Sequence, residues 1–360
     1  MNILYLINHA GKGGSEKYVK SMAGYAKAQG DSIFFAYNEP GPLVMQMEGL
    51  PEDICRIEMN SPMDIIAAKK LAKYCKANSI DLIHTQFARE NYIAILSKKL
   101  YGNKAKIIHT CHINTPNNQL WRMMNKFFMN ENTAIIAVCN SVRDLLIANN
   151  YPENKIQLVH NGIYYREDIE RADNGNNPIR FISLMRFSEE KGVFFLLESA
   201  KRLLETGVKF SLVIAGDGPL YNEAASFVKN NGLSEIVILP GHSDDVQSLL
   251  INADCYINAS SSEALSFAIL EAMESGLSII ATNVGGNPDI VNDKTNCGLL
   301  VPYGDTKEMA NAMLFMIENP SEAKEMAENA RKAVKDVFNI DNSLKTTYNV
   351  YMSTLSKRNH

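Results

Sequence analysis

Residues 262 to 271 read SEALSFAILE, and the run continues apolar through Ala272 and Met273. Glu271 interrupts a segment whose other faces are hydrophobic, and a buried carboxylate with no partner is costly. The stretch follows one predicted strand and opens a helix expected from Phe267 to Gly276. The backbone N–H groups of Ala264, Leu265, Ser266 and Phe267 therefore stand at a helix N-terminus, which is an anion site. Glu271 falls about one and a half turns into that helix, where its carboxylate can accept hydrogen bonds from vicinal hydroxyls such as those of a ribose. Phosphates at the tip and a sugar diol beside the first turns account for both features. The competing explanation is a core ion pair between Glu271 and a Lys or Arg. Glu263, eight positions earlier, says less by itself, because acids are common near helix starts.

Two further groupings carry less. In GKGGSE (11–16), Gly11 and Gly13 begin a dinucleotide fingerprint, but Glu16 takes the place of the third glycine. That counts against a nicotinamide-dependent dehydrogenase. His109 and His112 in IIHTCHINTP invite a metal reading, yet an odd separation at the end of a strand sends side chains to opposite faces, and no metal is expected there. The six cysteines, at 55, 75, 111, 139, 255 and 297, include no close pair of the metal or redox kind and fit a reducing compartment.

The elements that must hold these residues alternate along the chain. Strands are expected at 3–7, 32–37, 54–58, 81–84, 106–110, 134–138 and 156–159, with amphipathic helices between them, for example Ser15 to Gln29 and Met63 to Ala77. YYREDIERADNGNNP (164–178), charged and rich in Asn and Gly, reads as a linker. Strands resume at 179–184, 210–216, 236–241, 254–259, 277–282 and 298–301, followed by a helical stretch from Thr306 to Ser356. This order predicts an α/β fold of two doubly wound parallel sheets, with ligands beyond the carboxyl ends of the strands and in the cleft between the domains. The expected domains are 1–165, 166–340 and a C-terminal helix, 341–360, that packs back on the first.

A chain of 360 residues exceeds one average core. Its 46% hydrophobic and 21% charged residues are those of an ordinary globular protein. The net charge of −4 conceals a basic first part, with 18 Lys and Arg against 13 Asp and Glu in residues 1–165, and an acidic remainder, 18 against 27. That asymmetry suits either an anionic partner for the first domain or two differently charged solvated surfaces. Neither a signal peptide nor a membrane span is legible, so a cytoplasmic protein is expected, with a peripheral contact on a membrane face left open.

Glu263 and Glu271, with seven residues between them, and the surrounding residues 253–291 resemble the Glu-x7-Glu segment of the retaining glycosyltransferases of family 4, which have the GT-B fold of two Rossmann-like domains. Along the chain GGSEKYV (13–19), HNGI (160–163), RFSEEKG (186–192), IAGDGP (214–219) and LLVPYGD (299–305) are similar to further stretches of that family in the same order. The resemblance implies a metal-independent enzyme without a cofactor, taking a sugar from a nucleoside diphosphate, expected to be UDP. Arg186 and Lys191 would neutralise the diphosphate. Glu271 would bind the ribose and Glu263 the donor sugar, with the amides of Ala264 to Phe267 near the phosphates. Gly13 and Gly14 would admit the donor to the first loop, and His112 would stand beside the reacting sugar. The family is usually assigned same-face (SNi-like) attack, in which the leaving phosphate helps to take the acceptor's proton. Met185, Ala259 and Asp289 depart from the Gly, Pro and Glu common at their positions, which bears on donor choice.

The acceptor is marked thinly. NNQLWRMMNKFFMN (117–130) carries Trp121, Met124, Phe127 and Phe128 at helical spacing beside Arg122 and Lys126. It suits a lipid-linked acceptor or a membrane surface, or simply a core-facing amphipathic helix. No nucleic-acid partner is expected. The alternative function is a nucleotide-sugar isomerase such as a UDP-sugar 2-epimerase, which shares the two-domain fold. UDP release only when an acceptor is present would separate the two. A non-catalytic sugar-nucleotide binder is the remaining reading.

Overall fold

The computed structural model describes residues 1–112, 119–169 and 178–356. Seven parallel strands form the first sheet: β1 (Asn2–His9), β2 (Ser32–Glu39), β3 (Asp53–Arg56), β4 (Leu82–Thr85), β5 (Lys106–Cys111), β6 (Ala134–Ala137) and β7 (Ile156–Leu158), in spatial order β3-β2-β1-β4-β5-β6-β7. Six more form the second: β8 (Ile179–Leu184), β9 (Phe210–Ala215), β10 (Val237–Gly241), β11 (Cys255–Asn258), β12 (Ser278–Thr282) and β13 (Gly298–Val301), in order β10-β9-β8-β11-β12-β13. Central strands are apolar on both faces because helices cover both; Ile3 to Ile7 are fully buried. Each expected strand is present, displaced by at most two residues at its ends.

The chain separates into two compact units, Met1–Asn161 together with the segment that begins at Asp341, and Gly162–Ile340. Each sheet reverses its direction of travel once, between β1 and β4 and between β8 and β11. At such a switch point neighbouring loops leave the strand ends in opposite directions and open a crevice.

In the first unit the helix Ile340–Ser356 returns to the sheet. Tyr351 OH lies 2.6 Å from His84 Nδ1, Tyr18 OH lies 3.1 Å from Thr347 Oγ1, and Tyr348 OH donates to Asp31 Oδ2 at 2.9 Å. In the second unit Ile163 N donates to Phe338 O at 2.9 Å and Ile340 N to Ile163 O at 2.9 Å, pairing the segment after β7 with the one before the last helix.

The expected linker, 164–178, is only partly described, since 170–177 lie outside the described residues. Its opening residues are held: Arg166 is bound to Glu274, and Arg331 lies over the Tyr165 ring at 5.2 Å. Residues 117 and 118 of the amphipathic stretch also lie outside the described residues. The helix Gln119–Phe128 divides its apolar side chains between two faces: Trp121 and Phe128 pack on Tyr92, at ring separations of 5.3 and 5.7 Å, whereas Phe127 is exposed.

Candidate functional site

The second unit's switch point is built by three loops that touch through their backbones. Gly192 has φ +69°, and a Cβ there would meet Ala259 O at 2.1 Å, so the loop after β8 lies directly on the end of β11. Ser261 N donates to Glu190 O at 2.8 Å across the same junction. Gly285, at φ +55°, would place a Cβ 1.8 Å from Glu263 O, which brings the loop after β12 against the other side. Only glycine meets both the left-handed backbone and the close approach.

This packing brings Lys191 Nζ to 2.7 Å from Glu263 Oε1. Ser260 Oγ donates to the same oxygen at 2.7 Å and Asn258 Nδ2 at 3.4 Å. Asn258 is fixed in turn, since its Oδ1 accepts from Asn287 Nδ2 at 3.1 Å, and Asn287 Nδ2 also donates to Thr282 O at 2.9 Å. Lys191, Ser260, Glu263 and Ser266 line a small cavity of about 40 Å³. Beside them starts the helix Phe267–Glu274. Ser266 caps it, accepting from Ile269 N at 3.5 Å, while Gly286 N donates to Ala264 O at 2.8 Å. Among the described residues the amides of Ala264, Leu265, Ser266 and Phe267 have no acceptor, so the positive end of the helix remains available to an anion.

Arg186 is exposed at the rim of a larger cavity, about 330 Å³, formed by the ends of β8, β9 and β10 and lined by Leu184, Met185, Gly216, Asp217, His242 and Val246 among others. Leu184 and Met185 border both cavities, so Arg186 and Lys191 flank one continuous surface. The larger volume falls within the range of about 300–1,000 Å³ usual for small-molecule sites.

Glu271 is half-buried. The deeply buried acid of its helix is Glu274, at 1% side-chain exposure, which accepts from Arg166 N and Nε at 3.0 Å each and pairs with Arg166 Nη2. Arg331 Nη1 donates to Glu274 O at 2.8 Å. Arg166 is also within electrostatic reach of Glu271. Glu274, one turn after Glu271, thus makes a core ion pair of the kind weighed for Glu271 from the sequence, and the sequence reading passed over it.

In the first unit, Gly13 caps the helix Gly14–Ala28 in ordinary extended backbone, and a Cβ there would meet Glu16 Oε2 at 2.8 Å. His112 follows β5; its Nε2 lies 2.9 Å from Gln86 Oε1. His109 Nδ1 lies 3.1 Å from Thr85 Oγ1, and His84 Nε2 lies 2.7 Å from Thr110 Oγ1. Burial pushes His112 down to about 3, with neighbouring His109 adding to the effect, and burial pushes His109 to about 4. All are neutral rings at physiological pH. Gln86, and Glu90 at the start of the helix Ala88–Tyr101, escaped the sequence reading; both are fully buried polar residues near the β4 end. Among the described residues no cluster of His, Cys, Asp or Glu is arranged to hold a metal ion.

Comparison with known proteins bears on this geometry. A family model described as Glycosyl transferases group 1 matches residues 166–333, and one described as Glycosyltransferase Family 4 matches residues 12–166. N-acetyl-alpha-D-glucosaminyl L-malate synthase of Bacillus anthracis is 25% identical over 307 residues, covering 82% of this chain and 80% of its own. UDP-Gal:alpha-D-GlcNAc-diphosphoundecaprenol alpha-1,3-galactosyltransferase of Escherichia coli is 24% identical over 298 residues, 77% and 76% of the two chains. The structure of HepE from Anabaena in complex with UDP superposes with a TM-score of 0.84 over 98% of this chain and 100% of its own, at 16% identity, a likeness of fold. With one model on each Rossmann-like domain, and the two together running from residue 12 to residue 333, the chain belongs to the family 4 glycosyltransferases.

Proposed function

We propose that the protein is a retaining, metal-independent glycosyltransferase that moves a sugar from a UDP-sugar to a saccharide or lipid-linked acceptor. The observation that carries the reading is the second unit's switch point, where Lys191, the open amides of Ala264 to Phe267 and Arg186 border one surface with Glu263 beside them. A cation pair and a helix N-terminus meet the charge of a diphosphate, and that charge grows as the leaving group departs. Glu271, in the second turn of the helix, is the ribose ligand, and Glu263 the ligand of a donor-sugar hydroxyl. Gly13 and Gly14 serve the donor as well, and His112 contacts the reacting sugar.

The bond from the sugar's anomeric carbon to the β-phosphate oxygen breaks, and the electron pair leaves with UDP. The acceptor oxygen bonds to the same face of that carbon, and its proton passes to the departing phosphate. Arg186 and Lys191 supply the positive charge that a metal provides in other transferases. UDP is favoured as the nucleotide by the UDP bound to the structural relative HepE and the UDP-Gal named for the Escherichia coli relative. That relative's diphosphoundecaprenol acceptor favours a lipid-linked acceptor. The two glycosyltransferase family models favour transfer over isomerisation.

Membrane contact is part of the proposal. Leu120, Met123 and Phe127 are 65%, 58% and 68% exposed at i, i+3 and i+7 of the helix Gln119–Phe128, with exposed Arg122 and Lys126 alongside. No helix among the described residues is long and apolar enough to cross a membrane. The proposal has the protein working at the cytoplasmic face of a membrane. The deciding experiment incubates the protein with UDP-sugars and candidate acceptors in EDTA and reads the anomeric configuration of the product by proton NMR. Acceptor-dependent UDP release with retained configuration supports the reading; inversion, or dependence on a divalent metal, overturns it.

A further inference from the structure

We infer that Gln86 is the positioning residue of His112: its amide oxygen holds the imidazole as the Nε2–H tautomer and leaves Nδ1 bare as the acceptor for a ligand hydroxyl. The inference deepens the proposal above and rests on the assignment of His112 to the reacting sugar.

The geometry is a chain of fixed groups. Gln86 Oε1 can only accept, so at 2.9 Å the facing His112 Nε2 must carry a hydrogen. Burial keeps the ring neutral, so it holds a single proton and Nδ1 is a lone pair. That Nδ1 is buried and has no hydrogen-bond partner among the described residues. The Tyr18 ring packs against the imidazole at a centroid separation of 5.2 Å and the Phe87 ring at 6.2 Å, which restrict its rotation.

Gln86 is held from behind. Glu90 Oε1 accepts from Phe87 N at 2.7 Å and from Gln86 N at 3.3 Å, which fixes the turn between β4 and its helix. Gln86 is fully buried, and its amide Nε2 also lacks a partner among the described residues. A glutamine kept only for packing would forfeit that donor at a cost an apolar side chain avoids. Placed beside His112, it gives adjacent side chains with one unused donor and one unused acceptor. A hydroxyl group, which can both donate and accept, is the chemistry that such a pair recognises.

The test uses the full chain with 15N-labelled histidine and no substrate. With His112→Asn identifying the resonance, wild-type His112 should show a protonated Nε2 and a bare Nδ1; a protonated Nδ1 overturns the inference. Gln86→Leu and Gln86→Glu are then compared using UDP-glucose, UDP-galactose and UDP-N-acetylglucosamine as donor probes. Gln86→Leu should lose about tenfold or more in kcat with donor KM within about twofold, while Gln86→Glu, which keeps an acceptor for His112 Nε2 but gives up the amide donor, should recover at least about threefold of that loss. Equal losses in both variants, or none in Gln86→Leu, overturn the positioning role. A wild-type protein that turns over none of these donors counts against the proposed function, whereas the tautomer still decides this inference.

Discussion

Lys191 Nζ and Glu263 Oε1 form a 2.7 Å ion pair across the switch point of the second unit, joining residues 72 positions apart. Under the proposed function a diphosphate would offer Lys191 a second anionic partner, and Glu263 would keep Ser260 Oγ and Asn258 Nδ2 as donors. The ion pair holds both side chains in place.

Lys191→Ala is accordingly expected to lower turnover on the order of 100-fold, the scale seen when one preorganised charge-stabilising donor is removed. The melting temperature should fall little, because Ser260 and Asn258 still satisfy the carboxylate. Initial rates and thermal unfolding on one preparation decide it; unchanged turnover removes Lys191 from the site.

Glu271→Ala should weaken UDP binding by about tenfold or more, since a hydrogen bond to a charged group contributes roughly 1.5–3 kcal/mol. The comparison that isolates the ribose is 2′-deoxy-UDP. If Glu271 grips the diol, calorimetry should find the deoxy analogue already weakened in the wild type and weakened less further by the substitution. Equal losses for both nucleotides would move the contact elsewhere.

Both sheets were legible because parallel strands buried on two faces read as short apolar runs separated by longer helical periods. The helix start at Ala264 to Phe267, proposed as an anion site, was legible for a local reason, a short loop that leads from the strand ending at Asn258 to the helix beginning at Phe267. The partners of the acids were not. Lys191 meets Glu263, Arg166 meets Glu274 across 108 positions, and Gln86 meets His112 across 26, each through strand order that no local pattern encodes. Glu271 and Glu274 both interrupt apolar neighbours on one helix, and only packing decides which of them turns inward.

Arg166→Ala would leave Glu274, 1% exposed, without its cation, and should cost roughly 2–4 kcal/mol, reduced from the fully buried case because the arginine is 51% exposed. Adding Glu274→Leu to that variant should recover much of the loss, since the uncompensated charge goes with it. Urea unfolding of the single and double variants checks this; a single variant as stable as wild type shows that solvent or another cation already satisfies Glu274.

The exposed stripe Leu120, Met123 and Phe127 predicts binding to anionic vesicles that falls with salt. Phe127→Glu, which puts a charge at the centre of the apolar face, should reduce co-sedimentation with phosphatidylglycerol vesicles on the order of tenfold, the loss of one buried aromatic side chain. Folding should be unaffected, as Phe127 is 68% exposed. Binding that survives the substitution would place the membrane contact on another surface.

Glu90 makes stability depend on pH in a direction opposite to most carboxylates. Burial lifts its carboxyl from 4.5 to about 8, against the pull of the backbone N–H groups of Phe87 and Gln86, and its Oε2 has no partner among the described residues. Between those two values the folded chain keeps a proton that the unfolded chain releases, so the folded state binds more protons and stability falls as pH rises. The slope approaches about 1.4 kcal/mol per pH unit within the window and vanishes below the unfolded value and above the folded one. Glu90→Gln retains an acceptor for Phe87 N and cannot ionise, so its stability should lack this component. Unfolding of both proteins from pH 5 to pH 8 should therefore show the variant gaining on wild type as pH increases; a constant difference across that range would mean Glu90 is ionised in the folded protein throughout.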